Sequence, residues 1–190
     1  MSGAGCGKPE GWDRPYLPGA LVVLVPDDVR RKVDRLRRKY DPVSASLVPP
    51  HITITQPFRH EPGNAELALV GRVLMDHKPF ALRYGPLRTF LPYPCMWYEV
   101  QPVAALLELR AALHETGLFN TDLSHTDDFV PHLSITDGTP DAATTERVFR
   151  RIRNRVGQGR FRVTELVYTR PDWQLRFQPA RVFGLGRQKP

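Results

Sequence analysis

Two similar stretches decide how this sequence is interpreted: Pro-His-Ile-Thr-Ile-Thr at residues 50–55 and Pro-His-Leu-Ser-Ile-Thr at residues 131–136. Their first, second, fifth and sixth positions are identical, the third keeps a branched aliphatic side chain, and the fourth keeps a hydroxyl. An internal repeat of this kind predicts that the 190-residue chain contains two related halves.

Each copy has the alternation of a β-strand with one apolar and one polar face, because successive side chains of a strand point to opposite sides. The proline before each histidine cannot donate a hydrogen bond to a strand ladder, which suits the first residue of a strand. The apolar faces would carry Ile52, Ile54, Leu133 and Ile135, and the polar faces His51, Thr53, Thr55, His132, Ser134 and Thr136. If the two strands lie close together, two imidazoles and several hydroxyls meet in one concave surface.

A single Pro-His-x-Thr is a weak signal, since isolated histidines are common and threonine is frequent on the exposed face of strands. Two copies with matching alternation are a much more specific signal. The repeat therefore favours a functional cleft over two unrelated surface strands.

The pattern of elements predicts an α+β protein. A flexible tail at residues 1–18 precedes a single domain at residues 19–187, in the order strand, helix, motif strand, helix, strand, strand, helix, motif strand, helix, strand, strand. We expect two pseudo-symmetric, antiparallel sheet-and-helix lobes with the active cleft between them. Residues 41–50 are interpreted as a loop and residues 161–169 as one strand. The seven basic residues of the helix after Asp28 are interpreted as a solvated face, with a nucleic-acid-binding face as the alternative.

Composition limits the class of partner. The net charge is +7 and the sequence pI about 9.8, mostly from arginine, whose guanidinium matches phosphate oxygens. No run of 18 apolar residues predicts a membrane span, and the N-terminus lacks the apolar stretch of a secretory signal. We expect a cytoplasmic monomer without a membrane or an obligate protein partner.

Two histidines and two hydroxyls fit proton-transfer chemistry better than metal binding. An imidazole has an ordinary pKa of ~6.5, so one ring can act as base and the other as acid near neutral pH. Catalytic zinc usually needs three protein ligands, and neither motif supplies a carboxylate or a cysteine. A zinc hydrolase using His51, His132 and His125 stays open as a weaker alternative, but we expect neither metal nor cofactor.

The paired His-x-Thr and His-x-Ser motifs resemble those of the two-histidine (2H) phosphoesterase superfamily. More narrowly, Val48-Pro-Pro-His-Ile-Thr-Ile-Thr-Gln-Pro-Phe58 resembles the 2′-5′ RNA ligase family of bacterial RNA 2′,3′-cyclic phosphodiesterases. The resemblance spans roughly residues 18–186 and implies catalytic roles for His51, Thr53, His132 and Ser134.

The resemblance also implies a function: metal-independent opening of a 2′,3′-cyclic phosphate on an RNA end or a small nucleotide. Some members of the family join RNA ends by a 2′-5′ bond, and others only bind nucleotides. A nucleotide- or RNA-end-binding module is therefore the alternative to an enzyme. Four further residues are interpreted as candidate substrate contacts: Phe58, Phe129, Tyr168 and Arg170.

Overall fold

The computed structural model describes residues 14–124 and 126–186. Residues 1–13 of the predicted tail, His125 and residues 187–190 lie outside the described residues. A short 3-10 helix at Arg14–Tyr16 leads into the first strand.

The described ranges contain eight strands and five α-helices. The strands are β1 (Ala20–Leu24), β2 (His51–Thr53), β3 (Phe80–Thr89), β4 (Met96–Gln101), β5 (His132–Ser134), β6 (Gly159–Val163), β7 (Glu165–Pro171) and β8 (Phe177–Gly184). The helices are α1 (Asp27–Tyr40), α2 (Pro42–Leu47), α3 (Asn64–Met75), α4 (Val103–His114) and α5 (Ala142–Ile152).

The strands form two antiparallel four-stranded sheets, which confirms the predicted α+β architecture with two lobes. Sheet 1 has the order β2-β1-β7-β8 and sheet 2 the order β5-β4-β3-β6. Each motif strand is the edge strand of its sheet, and β2 and β5 lie next to each other. The repeat therefore meets at the junction of the two sheets.

The two sheets do not correspond to the two halves of the chain. Sheet 2 is built from four strands that are consecutive in sequence, whereas sheet 1 joins the first two strands to the last two. The single strand predicted at residues 161–169 is in fact two strands, because Val163 pairs with Phe80 in sheet 2 while Glu165 pairs with Gly184 in sheet 1. The predicted loop at residues 41–50 also contains the short helix α2.

The apolar faces of the motif strands lie in the core, as the alternation predicts. Ile52, Ile54, Leu133 and Ile135 are each at most 1% exposed. Burying one such side chain contributes roughly 1.5–3 kcal/mol, so a one-residue slip of either strand would be costly. The opposite, polar face of each strand is thereby directed towards the junction.

The sixth position of each motif has a structural role. The Thr55 hydroxyl accepts a hydrogen bond from the Leu21 amide at 3.0 Å, and the Thr136 hydroxyl accepts one from the Met96 amide at 2.9 Å. Both threonines are buried. Each threonine therefore pairs with a backbone N–H of the adjacent strand at the point where the short motif strand has ended.

The seventh residues, Gln56 and Asp137, are held from the opposite half of the fold. The Gln56 amide donates to Nε2 of His114, the last residue of α4, at 3.1 Å. The Asp137 amide donates to Oδ2 of Asp41, the C-cap of α1, at 2.8 Å. Helix α4 follows a strand of sheet 2, yet its last residue contacts the end of the motif in sheet 1. Helix α1 follows a strand of sheet 1, yet its C-cap contacts the end of the motif in sheet 2. We call this pair of contacts the reciprocal clasp.

Among the helices within residues 14–124 and 126–186, none combines the length and the apolar composition that a membrane span requires.

The clasp residue Asp41 predicts a specific stability loss. Asp41 is 1% exposed and accepts hydrogen bonds from the Ser44 amide, the Asp137 amide and the Thr139 hydroxyl. We expect Asp41→Ala to lower the free energy of unfolding by about 3 kcal/mol, since it removes three hydrogen bonds to one buried, charged acceptor. Urea denaturation measures the change.

The matched control is Asp141→Ala. Asp141 also caps a helix, accepting from the Thr144 amide, but it is exposed and makes no bond to the other sheet's motif among the described residues. Its loss should lower the free energy of unfolding by much less than the loss of Asp41 does, because water can replace the carboxylate at an exposed cap. Equal losses in the two variants would show that Asp41 acts as a helix cap and nothing more.

Candidate active site

A cleft of about 520 Å³ lies where the two motif strands meet. His51 and Thr53 of β2 line it together with His132 and Ser134 of β5. All four residues are half-buried. The structure thus brings the four residues of the sequence motifs to one surface.

The two imidazoles are anchored in the same way. Nδ1 of His51 lies 2.8 Å from the Pro49 carbonyl, and Nδ1 of His132 lies 2.7 Å from the Val130 carbonyl. A carbonyl oxygen can only accept, so Nδ1 carries the proton in both rings. Nε2 of each neutral ring therefore keeps its lone pair and can take or give a proton.

Burial shifts both imidazoles towards the neutral form. Desolvation is the main reason that the pKa of His51 is lowered to about 4, and the nearby charges of Arg37 and His132 act in the same direction. Desolvation also lowers the pKa of His132, which feels a carboxylate, Asp137, but not Arg37. At pH 7 the free protein therefore presents two neutral rings, and a bound anion would favour protonation of either.

The motif hydroxyls lie on the same face as the histidines. Thr53 stands opposite Val22 of β1, and Ser134 stands opposite Trp97 of β4. Each hydroxyl residue comes two positions after its histidine, roughly 6.5 Å further along the strand. An anion at the junction could therefore contact an imidazole and a hydroxyl from each motif.

Arg37 is a site residue that the sequence analysis missed. It was assigned to the solvated basic face of α1, but it is only 4% exposed and lines the cleft. Its Nη2 donates to the Ser44 carbonyl at 3.0 Å and to the Val48 carbonyl at 2.7 Å, just before the first motif. The signal was present in the spacing, since Arg37 continues the buried i, i+4 stripe of Val29 and Val33.

Asp137 was also missed, although it directly follows the second motif. It lines the cleft, and its Oδ1 accepts a hydrogen bond from the Tyr93 hydroxyl at 2.5 Å. Its negative charge opposes the lowering of the pKa of both His132 and His51 by burial. The equivalent position in the first motif is the neutral Gln56, so the two histidines differ in their electrostatic surroundings.

Two of the four predicted substrate contacts belong to the core instead. Phe58 is 2% exposed and packs on Phe119, with ring centroids 4.5 Å apart, and edge-on against Tyr168 at 5.2 Å. Tyr168 is 4% exposed and donates its hydroxyl proton to the Pro18 carbonyl at 2.8 Å. Neither ring is placed to stack on a base.

The other two predicted contacts also lie outside the described lining of the cleft. Phe129 packs under the guanidinium of Arg110 at 4.0 Å, and Arg110 is buried where its Nη1 donates to the Ile54 carbonyl. Arg170 is exposed and pairs with Glu61. Phe129 therefore supports the first motif from behind, and Arg170 is a surface ion pair.

The aromatic and aliphatic lining comes from elsewhere in the fold. It is supplied by the short 3-10 helix before β1, by sheet 1, by α2, and by the turn before β8. These apolar lining residues include Tyr16, Val22, Leu24, Val43, Leu47, Leu175 and Phe177.

The described residues contain no group of three or more histidines, cysteines and carboxylates placed to hold a metal ion. His125, the third ligand of the alternative zinc hydrolase, lies outside the described residues.

The sequence matches a family model. The model is described as the 2′-5′ RNA ligase superfamily, and it matches residues 25–172, well over half of the chain.

Curated relatives come from Bacillus. A Bacillus cereus strain B4264 protein, provisionally named a phosphoesterase, is 30% identical over 154 residues, covering 80% of this chain and 81% of the relative. A Bacillus thuringiensis protein with the same provisional name is 29% identical over the same shares of both chains.

Solved structures share the fold. Escherichia coli LigT complexed with 3′-AMP superimposes with a TM-score of 0.59 at 17% identity, covering 88% of this chain and 97% of that one. The protein TT0787 of Thermus thermophilus gives a TM-score of 0.60 at 20% identity, covering 89% and 98%.

The depressed histidine pKa values can be measured directly by following the imidazole proton resonances against pH. We expect a midpoint near 4 for His51 and one below 6.5 for His132. Inorganic phosphate should raise both midpoints by about one pH unit or more, because an anion stabilises the imidazolium. His51→Ala and His132→Ala assign the two resonances.

Phosphate affinity should accordingly increase as the pH falls from 7 towards 5. Midpoints near 6.5 that phosphate leaves unchanged would contradict this description of the cleft.

Proposed function

This chain belongs to the 2′-5′ RNA ligase superfamily, a family of 2H phosphoesterases, and we propose that it opens 2′,3′-cyclic phosphates at RNA ends or on small nucleotides. The reaction would give a phosphomonoester and would use no metal. The observation that carries the proposal is the pair of imidazoles in one cleft, each held through Nδ1 with Nε2 left for proton transfer.

The reaction is an in-line displacement at phosphorus. A water oxygen forms the new P–O bond while one neutral imidazole takes its proton. One ester bond to the ribose breaks, and the protonated imidazole gives its proton to the departing ribose oxygen. One water is consumed, and one P–O bond forms as another breaks. The same two groups could join RNA ends by a 2′-5′ bond if a ribose hydroxyl replaced water as the nucleophile that opens the cyclic phosphate.

Binding of the negatively charged substrate favours protonation of one of the two imidazoles. Both rings are neutral in the free protein because burial lowers their pKa. The cyclic phosphodiester brings one negative charge between them and thereby favours a single imidazolium. The single negative charge of the phosphodiester is balanced by a single imidazolium, so one histidine can act as the acid and the other as the base.

Charge that develops on the non-bridging oxygens can be stabilised by three groups. The hydroxyls of Thr53 and Ser134 can donate to these oxygens, one from each motif. The guanidinium of Arg37 adds a positive charge at low exposure, where its field is little screened by water. Because two backbone carbonyls fix its Nη2, this charge needs little reorganisation when the substrate arrives.

The proposal predicts that each motif histidine is needed for turnover. We expect His51→Ala and His132→Ala each to lower hydrolysis of a nucleoside 2′,3′-cyclic phosphate by about two to four decades, because each removes a proton-transfer group. Product formation followed by chromatography measures the loss and identifies the 2′- or 3′-phosphate.

His60→Ala is the matched control, since His60 is exposed and pairs with Glu66 away from the cleft. It should leave turnover unchanged, as should EDTA. Full activity in both motif variants, or an activity abolished by EDTA and restored by zinc, would refute the proposal.

A second candidate is a nucleotide-binding module that uses the same cleft without useful turnover. The structure of E. coli LigT complexed with 3′-AMP gives this alternative its support. Calorimetry with 3′-AMP beside the turnover assay separates the two. Binding that depends on His51 and His132, without product from any cyclic nucleotide, would favour the module.

A further inference from the structure

The polar face of sheet 2 extends beyond the cleft. In the strand register, Glu99 lies opposite His132, and Trp97 lies opposite Ser134. On the next strand Arg88 lies opposite Trp97, and Arg83 lies opposite Gln101. Directly opposed residues of antiparallel strands point to the same side of a sheet, so these side chains share the face that carries the second catalytic motif.

The outermost strand, β6, continues this face with two more arginines. Arg160 lies opposite Arg83, and Arg162 lies opposite Ala81. All four arginines of the face are exposed, whereas Leu82, Tyr84 and Leu87 on the other side of β3 are buried. We call the four exposed residues the arginine face: Arg83, Arg88, Arg160 and Arg162.

The arginine face carries an uncompensated positive charge. Arg88 pairs with Glu99 at 2.8 Å, but no carboxylate within residues 14–124 and 126–186 pairs with Arg83, Arg160 or Arg162. Arg83 and Arg160 stand directly opposite each other, an arrangement of like charges that destabilises a sheet. A bound polyanion would remove that repulsion.

The cleft end of this face contains a second unsatisfied group. The indole N–H of Trp97 is buried and has no hydrogen-bond partner among the described residues. Trp97 stacks on Phe90, with ring centroids 4.6 Å apart, and its edge-on neighbour is His132 at 5.7 Å. An unpaired donor therefore lies between the catalytic histidine and the first arginine of the face.

The other wall of the cleft differs in chemistry. Val22, Leu24 and Phe177 supply apolar surface from sheet 1. Such a wall suits a nucleobase, whereas an exposed row of guanidinium groups suits phosphates. The two walls thus match the two parts of a nucleotide at the end of an RNA chain.

We propose that the arginine face binds the phosphodiester backbone of single-stranded RNA that leads away from the nucleotide held in the cleft. The arginine face occupies β3 and β6, the far half of a polar sheet face that runs from His132 on β5 across three inter-strand spacings, roughly 14 Å, to β6. It therefore offers room for several backbone phosphates beyond the reacting one. This inference rests on the proposed function for the identity of the end group, and it adds an oligonucleotide substrate to it.

The test compares two lengths of ligand without requiring turnover. Fluorescence anisotropy measures binding of a labelled eight-nucleotide RNA that ends in a 3′-phosphate, and calorimetry measures 3′-AMP. We expect the double variant Arg83→Gln/Arg160→Gln to weaken RNA binding about tenfold at low salt and to leave 3′-AMP binding unchanged. The slope of log affinity against log salt should fall by about 1.4, or ~0.7 for each lost phosphate contact.

The matched control removes two exposed arginines from α5, which packs on the buried side of β3. Arg147→Gln/Arg151→Gln lowers the net charge by the same amount, and it should change RNA binding less than twofold. Thermal unfolding checks folding: removing both of the opposed like charges should not lower the melting temperature of the Arg83/Arg160 variant.

Three results would overturn the inference. They are equal weakening in the two double variants, wild-type protein that binds the RNA no tighter than 3′-AMP, and an acidic peptide that competes as well as RNA. Failure of the proposed function is distinguishable, because it would appear as absent hydrolysis of cyclic nucleotides by the wild-type protein whatever the binding data show.

Discussion

Two backbone N–H groups, those of Gln56 and Asp137, determine how the two sheets meet. Each N–H lies just after a motif strand and donates to a side chain at the end of a helix connected to the other sheet. The Gln56 amide donates to His114 of α4, and the Asp137 amide donates to Asp41, the C-cap of α1. The strands β2 and β5 are only three residues long, so their own ladders cannot fix them firmly. The reciprocal clasp supplies that rigidity and holds the two histidine motifs at a fixed separation.

Rigid placement matters for the proposed reaction because both imidazoles lie where burial disfavours their charged form. Burial lowers the pKa of both rings, so neither becomes an imidazolium at neutral pH without an anion nearby. Arg37 beside His51 and Asp137 near His132 make the surroundings of the two rings unequal. A phosphate bound between the motifs would stabilise the protonated form of the imidazoles. It could act on both rings only if both lie within contact distance of it.

Strand alternation was enough to predict the apolar and polar faces of both motifs, because period-two patterning is a local property of the chain. The expectation that the motif strands meet in one cleft came from the repeat and the order of elements, and β2 and β5 do lie next to each other. Alternation could not show that the chain passes from sheet 2 to sheet 1 at Thr164, between β6 and β7. That change depends on which distant strands β6 and β7 pair with.

The failures at single residues have a similar cause. Phe58 follows a motif in the sequence but faces Phe119 in the core, and Arg37 resembles a surface cation although it occupies the buried stripe of its helix. Its burial is tolerated only because the carbonyls of Ser44 and Val48 accept hydrogen bonds from its guanidinium, which no local pattern reveals.

The most direct measurement of the central claim is a crystal structure with inorganic phosphate in the cleft. The account predicts one phosphate with Nε2 of both His51 and His132 at roughly 2.6–3.2 Å from its oxygens; a phosphate that contacts only one ring, or that binds outside the cleft, would contradict it.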